Sequence, residues 1–424
     1  MIEIAPAVPT RSPQTFKNGE VHDWYRTVWG YSDQLVANLL DEFATKTRMR
    51  VLDPFCGSGT TLVECMKRGV DSAGIDANPV SCLAAKVKTN WHLRPGRLLE
   101  LLDIIRIPYK RFRSSVSYRS DPTYLYFDLS GMLDRGWISP GPLKKVLILK
   151  RCIQDLNTNY AYKQALTLLL LETLLRTASN VKFGPELFCS HQKIDADVFG
   201  DFSKRLETMV ADLELVRLTP HRSSSLVLEG DSRECGAMRQ HLGTPKFSHV
   251  ICSPPYPAEH DYTRNSRLEL AFIERVSDRE TLRAIKRRMV RSHTKGIYAA
   301  DADSDMVSAD MTLARLVKKI DLRAATKNHG FAKLYSRVTT EYFGGMKRHL
   351  ESLHPLLRKG AILAYVVGDQ SSYLQVQIRT ATILANLARD VGYDILEIRH
   401  WRDRVTRSDS GVIVENILIM QKRG

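Results

Sequence analysis

Apolar and polar positions along the 424-residue chain follow two rhythms. Short apolar runs closed by turn residues recur as "MRVLDPF" (49–55), "DSAGIDANP" (71–79), "SSLVLEGDS" (224–232), "FSHVICSPP" (247–255) and "AILAYVVGD" (361–369), and each predicts a buried strand. Between 101 and 222 the rhythm becomes helical in "LKKVLILKRCIQDL", "YKQALTLLLLETLLRTA" and "FGDFSKRLETMVADLELV", none of which alternates as a strand would. Near the N-terminus, "SDQLVANLLDEFA" (32–44) spaces Leu35, Leu39, Leu40 and Phe43 for one helix face, with Ser32 placed to cap it. The chain closes with "DILEIRHW" and "GVIVENILIMQKR", two extended runs that predict an antiparallel hairpin at a sheet edge.

The order strand, glycine turn "CGSGTT" (56–61), helix closed by Gly69, strand is the opening of a doubly wound, mostly parallel α/β sheet. A right-handed crossover sets those two strands side by side with both C-terminal ends on one edge. The expected organisation is a sheet domain beginning at 20–100, a helical insertion at 101–222 that could hold DNA, and a return to the sheet at 223–424, with 276–340 as a second DNA-contacting insertion. The segment "SNVKFGPELF" (179–188) could line a DNA cleft or join two helices.

Composition narrows the class. The chain is 43% hydrophobic and 26% charged, as an ordinary globular protein is. Its longest apolar stretch, "ALTLLLLETLL" (165–175), contains Glu172 and is too short to span a bilayer. The N-terminal residues lack the basic start and apolar middle of an export signal, so a cytoplasmic location and no membrane partner are expected. Seven cysteines without a CxxC pair predict neither a disulfide framework nor a metal site. The net charge of +15 points to a polyanionic partner, against the plainer reading of a solvated basic surface.

The glycine turn carries the first chemistry. A triphosphate loop needs a lysine where Thr60 stands, and a dinucleotide turn needs a third glycine where Leu62 stands. What remains is a close backbone approach beside a carboxylate, Asp53, suited to a cationic ligand such as S-adenosyl-L-methionine. Asp76, 19 residues beyond Gly57, stands where an acid would accept from ribose hydroxyls. The second candidate is "VICSPPYP" (250–257), where an apolar run stops at a serine, two prolines and a tyrosine. Proline cannot donate to a sheet, so the strand ends there. A plain turn with an incidental tyrosine is the alternative.

Together, "DPFCGSGTT" (53–61), "GIDANP" (74–79) and "SPPY" (253–256) resemble the motifs of the amino-directed DNA methyltransferases, which modify cytosine N4 or adenine N6. The resemblance covers roughly 20–100 and 223–275, and 340–424 more loosely, with the cofactor motif ahead of the catalytic one. It implies a Rossmann-like methyltransferase fold that binds S-adenosyl-L-methionine through Tyr31, Ser32, Asp53, Phe55, Cys56, Gly57, Gly59, Thr60, Thr61, Asp76, Asn78 and Asp231. It assigns catalysis to Ser253, Pro254, Pro255 and Tyr256, and the serine variant associates with cytosine N4. The Ser253 side chain and Pro254 carbonyl would accept from the amino group, with Tyr256 stacked on a flipped base.

The implied partner is double-stranded DNA, with a cognate restriction endonuclease acting on the same site. Two basic runs are candidate phosphate contacts: "IRIPYKRFRSSVSYR" (105–119), with Lys110, Arg111 and Arg113, and "RETLRAIKRRMVRSHTK" (279–295), with Arg287, Arg288 and Arg291. Adenine N6, guanine N2 in RNA, or a binding protein without catalysis are the competing functions. Ring-carbon methylation is disfavoured because no Pro-Cys pair occurs in the chain.

Overall fold

The computed structural model describes residues 20–27, 30–44, 48–115, 117–183, 187–218, 223–242, 246–327, 330–371, 373–405 and 412–424. Its main sheet has seven strands, numbered here in chain order: β1 Arg50–Asp53, β2 Asp71–Asp76, β3 Ser225–Glu229, β4 Phe247–Cys252, β5 Leu357–Gly368, β6 Tyr393–Val405 and β7 Val412–Lys422. Their spatial order is β3-β2-β1-β4-β5-β7-β6, parallel through β5 and antiparallel over the last two. The fold is therefore the doubly wound, mostly parallel α/β sheet with an antiparallel edge. Strand order reverses between β1 and β4, and a ligand crevice forms outside such a switch point.

Local chemistry explains the first elements. Helix α1, Asp33–Glu42, starts at Ser32, whose hydroxyl accepts from the Leu35 N–H at 3.3 Å. Helix α2, Thr60–Lys67, follows β1 directly, and α3, Pro79–Lys88, follows β2. Asn78 caps α3 by accepting from Val80 N at 3.0 Å, and Pro79 occupies the first helical turn, where a missing N–H costs nothing. Val51 and Leu52 of β1 and Ile251 of β4 are fully buried, as strands covered on both faces require.

The stretch between β2 and β3 is mainly helical: α4 Pro95–Ser115, α5 Pro122–Leu129, α6 Pro140–Gln154, α7 Tyr160–Thr173 and α8 Val198–Arg217. These helices share one apolar core with Val80 and Ala84 of α3, so the insert leans on the sheet domain through that helix. The segment 179–188 joins α7 to α8 and is not wholly irregular: Val181–Phe183 and Leu187–Cys189 pair as two short antiparallel strands. Beyond β4 come α9 Arg267–Phe272, α10 Arg279–Arg287, α11 Met311–Ala324, α12 Tyr335–Leu353 and, between β5 and β6, α13 Thr380–Val391. Tyr342 and Phe343 of α12 pack with Leu52, Ala73 and Val250 to form the core on one face of the sheet.

The two closing runs form β6 and β7, and the polar segment between them, 406–411, lies outside the described residues. The seven cysteines are unpaired, and six of them are buried. Among the described residues no helix is long and apolar enough to cross a membrane.

Candidate active site

A cavity of about 250 Å³ opens at the C-terminal ends of β1, β2 and β4. One wall is the turn after β1, from which Pro54, Phe55, Cys56, Gly57, Ser58 and Thr60 line the space. Gly57 has φ +51°, and a Cβ there would project into open space, so the turn leaves room for a ligand against its backbone. Gly59 has φ +90° and sits 3.0 Å, measured from where a Cβ would stand, from the Ala85 backbone. That glycine lets α2 pack on α3; it does not itself line the cavity.

The acids of the first two motifs, Asp53 and Asp76, are placed differently. Asp53 is fully buried, with its carboxylate accepting from Phe55 N at 3.0 Å, Thr61 Oγ1 at 2.5 Å and Tyr31 Oη at 3.3 Å. Burial pushes its carboxyl up to about 7, against the pull of those donors. It stands outside the cavity lining, and its carboxylate, with Thr61, holds the turn's shape rather than facing the cavity. Ser32 is likewise spent on capping α1, whereas Tyr31 both lines the cavity and reaches Asp53 and Thr61.

Asp76 lines the cavity at the end of β2. It accepts from Gly57 N at 2.9 Å and Asn78 N at 2.7 Å, and burial raises its carboxyl to about 6 in spite of both. One side chain thus ties the turn after β1 to the turn after β2 while still facing the cavity. Asn78 lines it too and donates to Ser266 Oγ at 2.8 Å. Asp231 behaves otherwise. Its carboxylate is taken by Arg233 at 2.6 Å and by the Arg233 N–H at 2.8 Å, and Arg233 also pairs with Asp303. Its neighbour Ser232 lines the cavity, while Asp231 stands outside the lining with its carboxylate engaged by Arg233.

The opposite wall is the turn after β4, and Ser253, Pro254, Pro255 and Tyr256 all line it. Three of the four are held by hydrogen bonds from outside the motif. The Ser253 hydroxyl donates to the Val366 carbonyl at 3.2 Å, which leaves its oxygen lone pairs as acceptors. The Pro255 carbonyl accepts from Tyr342 Oη at 2.9 Å, and the Tyr256 N–H donates to Tyr262 Oη at 3.0 Å. The Tyr256 ring lies against Gly368, where a Cβ would come within 2.9 Å of Cε2; the backbone itself is the ring's support. His260 and His293 stand beside it, and burial holds both imidazoles neutral, near 4.

Sequence reasoning did not anticipate Tyr262, Tyr342 and Gly368, nor the part played by the closing hairpin. Trp401, Arg402 and Arg404 of β6 and Glu415 of β7 line the same cavity, with the Arg402 guanidinium 3.9 Å from the Trp401 ring centre. The only advance signals were the tyrosine of "DYTR" and the glycine ending "AYVVGD".

The basic residues separate clearly. Lys110 and Arg111 are exposed on α4, away from the cavity lining, and the Arg113 side chain lies outside the described residues. Arg287 pairs with Glu280 at 2.9 Å and lies over the Tyr298 ring. Arg288 lines the cavity but pairs with Glu229, the neighbour of Asp76 across the sheet, at 3.0 Å. Arg291 also lines the cavity, but it is 4% exposed and held by Asp301 at 2.7 Å and by the carbonyls of Lys286 and Met289, so its guanidinium is largely committed to the fold. Elsewhere, His22, Asp33 and Glu64 bring three ligand atoms within 4.8 Å. Glu64 is already neutralised by Lys67 at 3.0 Å and Arg68 at 2.9 Å, which disfavours a cation there.

Residues 31–87 match a family model described as DNA methylase. The Type II methyltransferase M.AvaI of Nostoc sp. is 24% identical over 419 aligned residues, covering 91% of this chain and 81% of its own. The Type II methyltransferase M.BsoBI of Geobacillus stearothermophilus is 28% identical over 297, covering 62% of this chain and 54% of its own. The solved structure of TrmN from Thermus thermophilus aligns over 93% of this chain at 10% identity with a TM-score of 0.28, too loosely to bear on function.

Proposed function

We propose that this chain, a member of the amino-directed DNA methyltransferase family, transfers a methyl group from S-adenosyl-L-methionine to the N4 amino group of cytosine in duplex DNA. The observation that carries the reading is the convergence of two strand-end turns on one cavity, Gly57 and Asp76 on one wall and Ser253 to Tyr256 on the other. The cofactor fits the residues present: a glycine wall without lysine suits a ligand without phosphate, and the Asp76 carboxylate suits ribose hydroxyls. Phe55, Gly57, Thr60, Asp76 and Asn78 would hold it, and when bound it supplies an electrophilic methyl group on sulfur.

The amino group of cytosine is a poor nucleophile because its lone pair is delocalised into the ring. Ser253 Oγ, whose own proton is engaged by Val366, and the Pro254 carbonyl accept from its two N–H bonds and favour a pyramidal nitrogen. Tyr256 supplies a flat face for a base taken out of the duplex, and its support on Gly368 keeps that face in place. The Type II relatives suggest a modification enzyme working beside an endonuclease of the same specificity.

The test is to incubate the protein with methyl-labelled cofactor and DNA, digest to nucleosides and identify the labelled one. Label in N4-methylcytosine is expected. Label in N6-methyladenine would overturn the target base, and label in RNA alone would overturn the DNA substrate.

A further inference from the structure

Part of the cavity's lining belongs to neither strand-end turn. Tyr25 and Arg26 of the N-terminal segment, Leu175 and Phe183 of the insert, and Ser266 and Glu269 at α9 form it. Glu269 is 1% exposed. Its Oε1 accepts from the Tyr25 hydroxyl at 2.8 Å, while Oε2 has no hydrogen-bond partner among the described residues. A buried carboxylate oxygen without a donor carries an uncompensated desolvation penalty, and such a group calls for a missing partner.

The nearby cations are committed elsewhere. Lys88 donates to the Tyr25 carbonyl at 2.6 Å, Arg176 to Glu172 at 3.0 Å, and Arg26 to Asp23 at 2.9 Å. This part of the lining is linked to the acid at the end of β2. Asp76 accepts from Asn78 N, the Asn78 amide donates to Ser266 Oγ, and Glu269 follows Ser266 by three residues, on the same face of the chain as α9 begins. Asp76 and Glu269 thus line one cavity and are joined through Asn78 and Ser266.

We propose that Glu269 reads the cofactor, its free Oε2 accepting a hydrogen bond from an N–H of S-adenosyl-L-methionine. The inference rests on the cofactor assignment above and adds to it a specific polar contact from α9, on a part of the cavity wall shared with Leu175 and Phe183 of the helical insert. The cofactor carries N–H donors at its α-ammonium and at the amino group of its adenine, and either satisfies the same acceptor. Burial raises the Glu269 carboxyl to about 7, so a donor arriving at Oε2 also favours the ionised form.

Calorimetry with S-adenosylhomocysteine and with methylthioadenosine, which lacks the amino-acid end, tests this on the whole chain. Glu269→Gln should weaken S-adenosylhomocysteine by about tenfold or more, with the melting temperature of the unliganded protein little changed. An equal loss for methylthioadenosine assigns the contact to the adenine, and an undiminished affinity for it assigns the contact to the ammonium. Binding of both nucleosides within about twofold of wild type overturns the proposal, whereas a wild-type protein that binds neither overturns the cofactor reading instead. If Glu269→Gln does not fold, Tyr25→Phe, which frees Oε1 and loosens the carboxylate, should still weaken S-adenosylhomocysteine severalfold, and unchanged affinity there has the same contrary meaning.

Discussion

The turn after β1 and the turn after β4 leave the same sheet edge, but they are held in different ways. The first is tied mostly by near neighbours: Phe55 N to Asp53 two residues back, Thr61 to Asp53 eight residues apart, and Gly57 N to Asp76 after 19, with one remote link from Thr61 Oγ1 to the Ile251 carbonyl. The second is tied mostly by remote ones, with Ser253 bonded to Val366 113 residues on and Pro255 to Tyr342 87 residues on, beside the local bond of Tyr256 N to Tyr262. A largely local turn is suited to holding a common cofactor. A turn shaped by several elements at once can be tuned to the atoms that react, because each support sets one acceptor or one ring.

If that division holds, damage to the two turns should separate. Ser253→Ala removes an acceptor aimed at the reacting nitrogen and should lower single-turnover methyl transfer by roughly 10²- to 10³-fold. Asp76→Ala should raise the cofactor Kd about 10- to 100-fold, read by titration without DNA. Gly368→Ala brings a methyl group within 2.9 Å of the Tyr256 ring, and displacing that ring should cost roughly tenfold in turnover with cofactor affinity intact.

The smallest effect is a pH dependence. The raised Asp76 carboxyl, about 6, means that protonation competes with ribose hydroxyls, so affinity should decline severalfold as pH falls from 7 through 6 to 5. Folding responds in the opposite sense. Carboxyls raised to about 6 at Asp76 and about 7 at Asp53 bind more protons folded than unfolded, so the cofactor-free protein should lose their share of stability as pH rises from about 4 to about 7.

These two turns also differ in how far the sequence exposes them. The parallel sheet was legible because "MRVLDPF", "DSAGID" and "FSHVIC" are apolar runs of strand length ended by turn residues. So was the place of Asp76 at the end of the second strand, where its spacing from Gly57 reflects a turn, one helix and one strand of ordinary length. Asp53 and Asp231 were legible as acids at strand ends but not as inward-turned ones, because Tyr31, Thr61 and Arg233 claim their oxygens through side-chain packing. Arg291 misled for the same reason: in a basic run it reads as surface, and Asp301 draws it inside. Tyr342 and Trp401 carry no local signature, and Gly368 only a glycine at a strand end; what brings Gly368 to Tyr256 is the pairing of β5 with β4, and what brings Tyr342 to Pro255 is the packing of α12 on the sheet.

The division of labour between the turns is tested most directly by measuring, on Ser253→Ala and Asp76→Ala side by side, the cofactor Kd by titration and the single-turnover rate at saturating cofactor. The predicted result is a crossed pattern: Ser253→Ala keeps a Kd within about twofold of wild type and loses the rate, while Asp76→Ala loses affinity and regains most of the rate at saturation. Parallel losses of affinity and rate in both variants would contradict it.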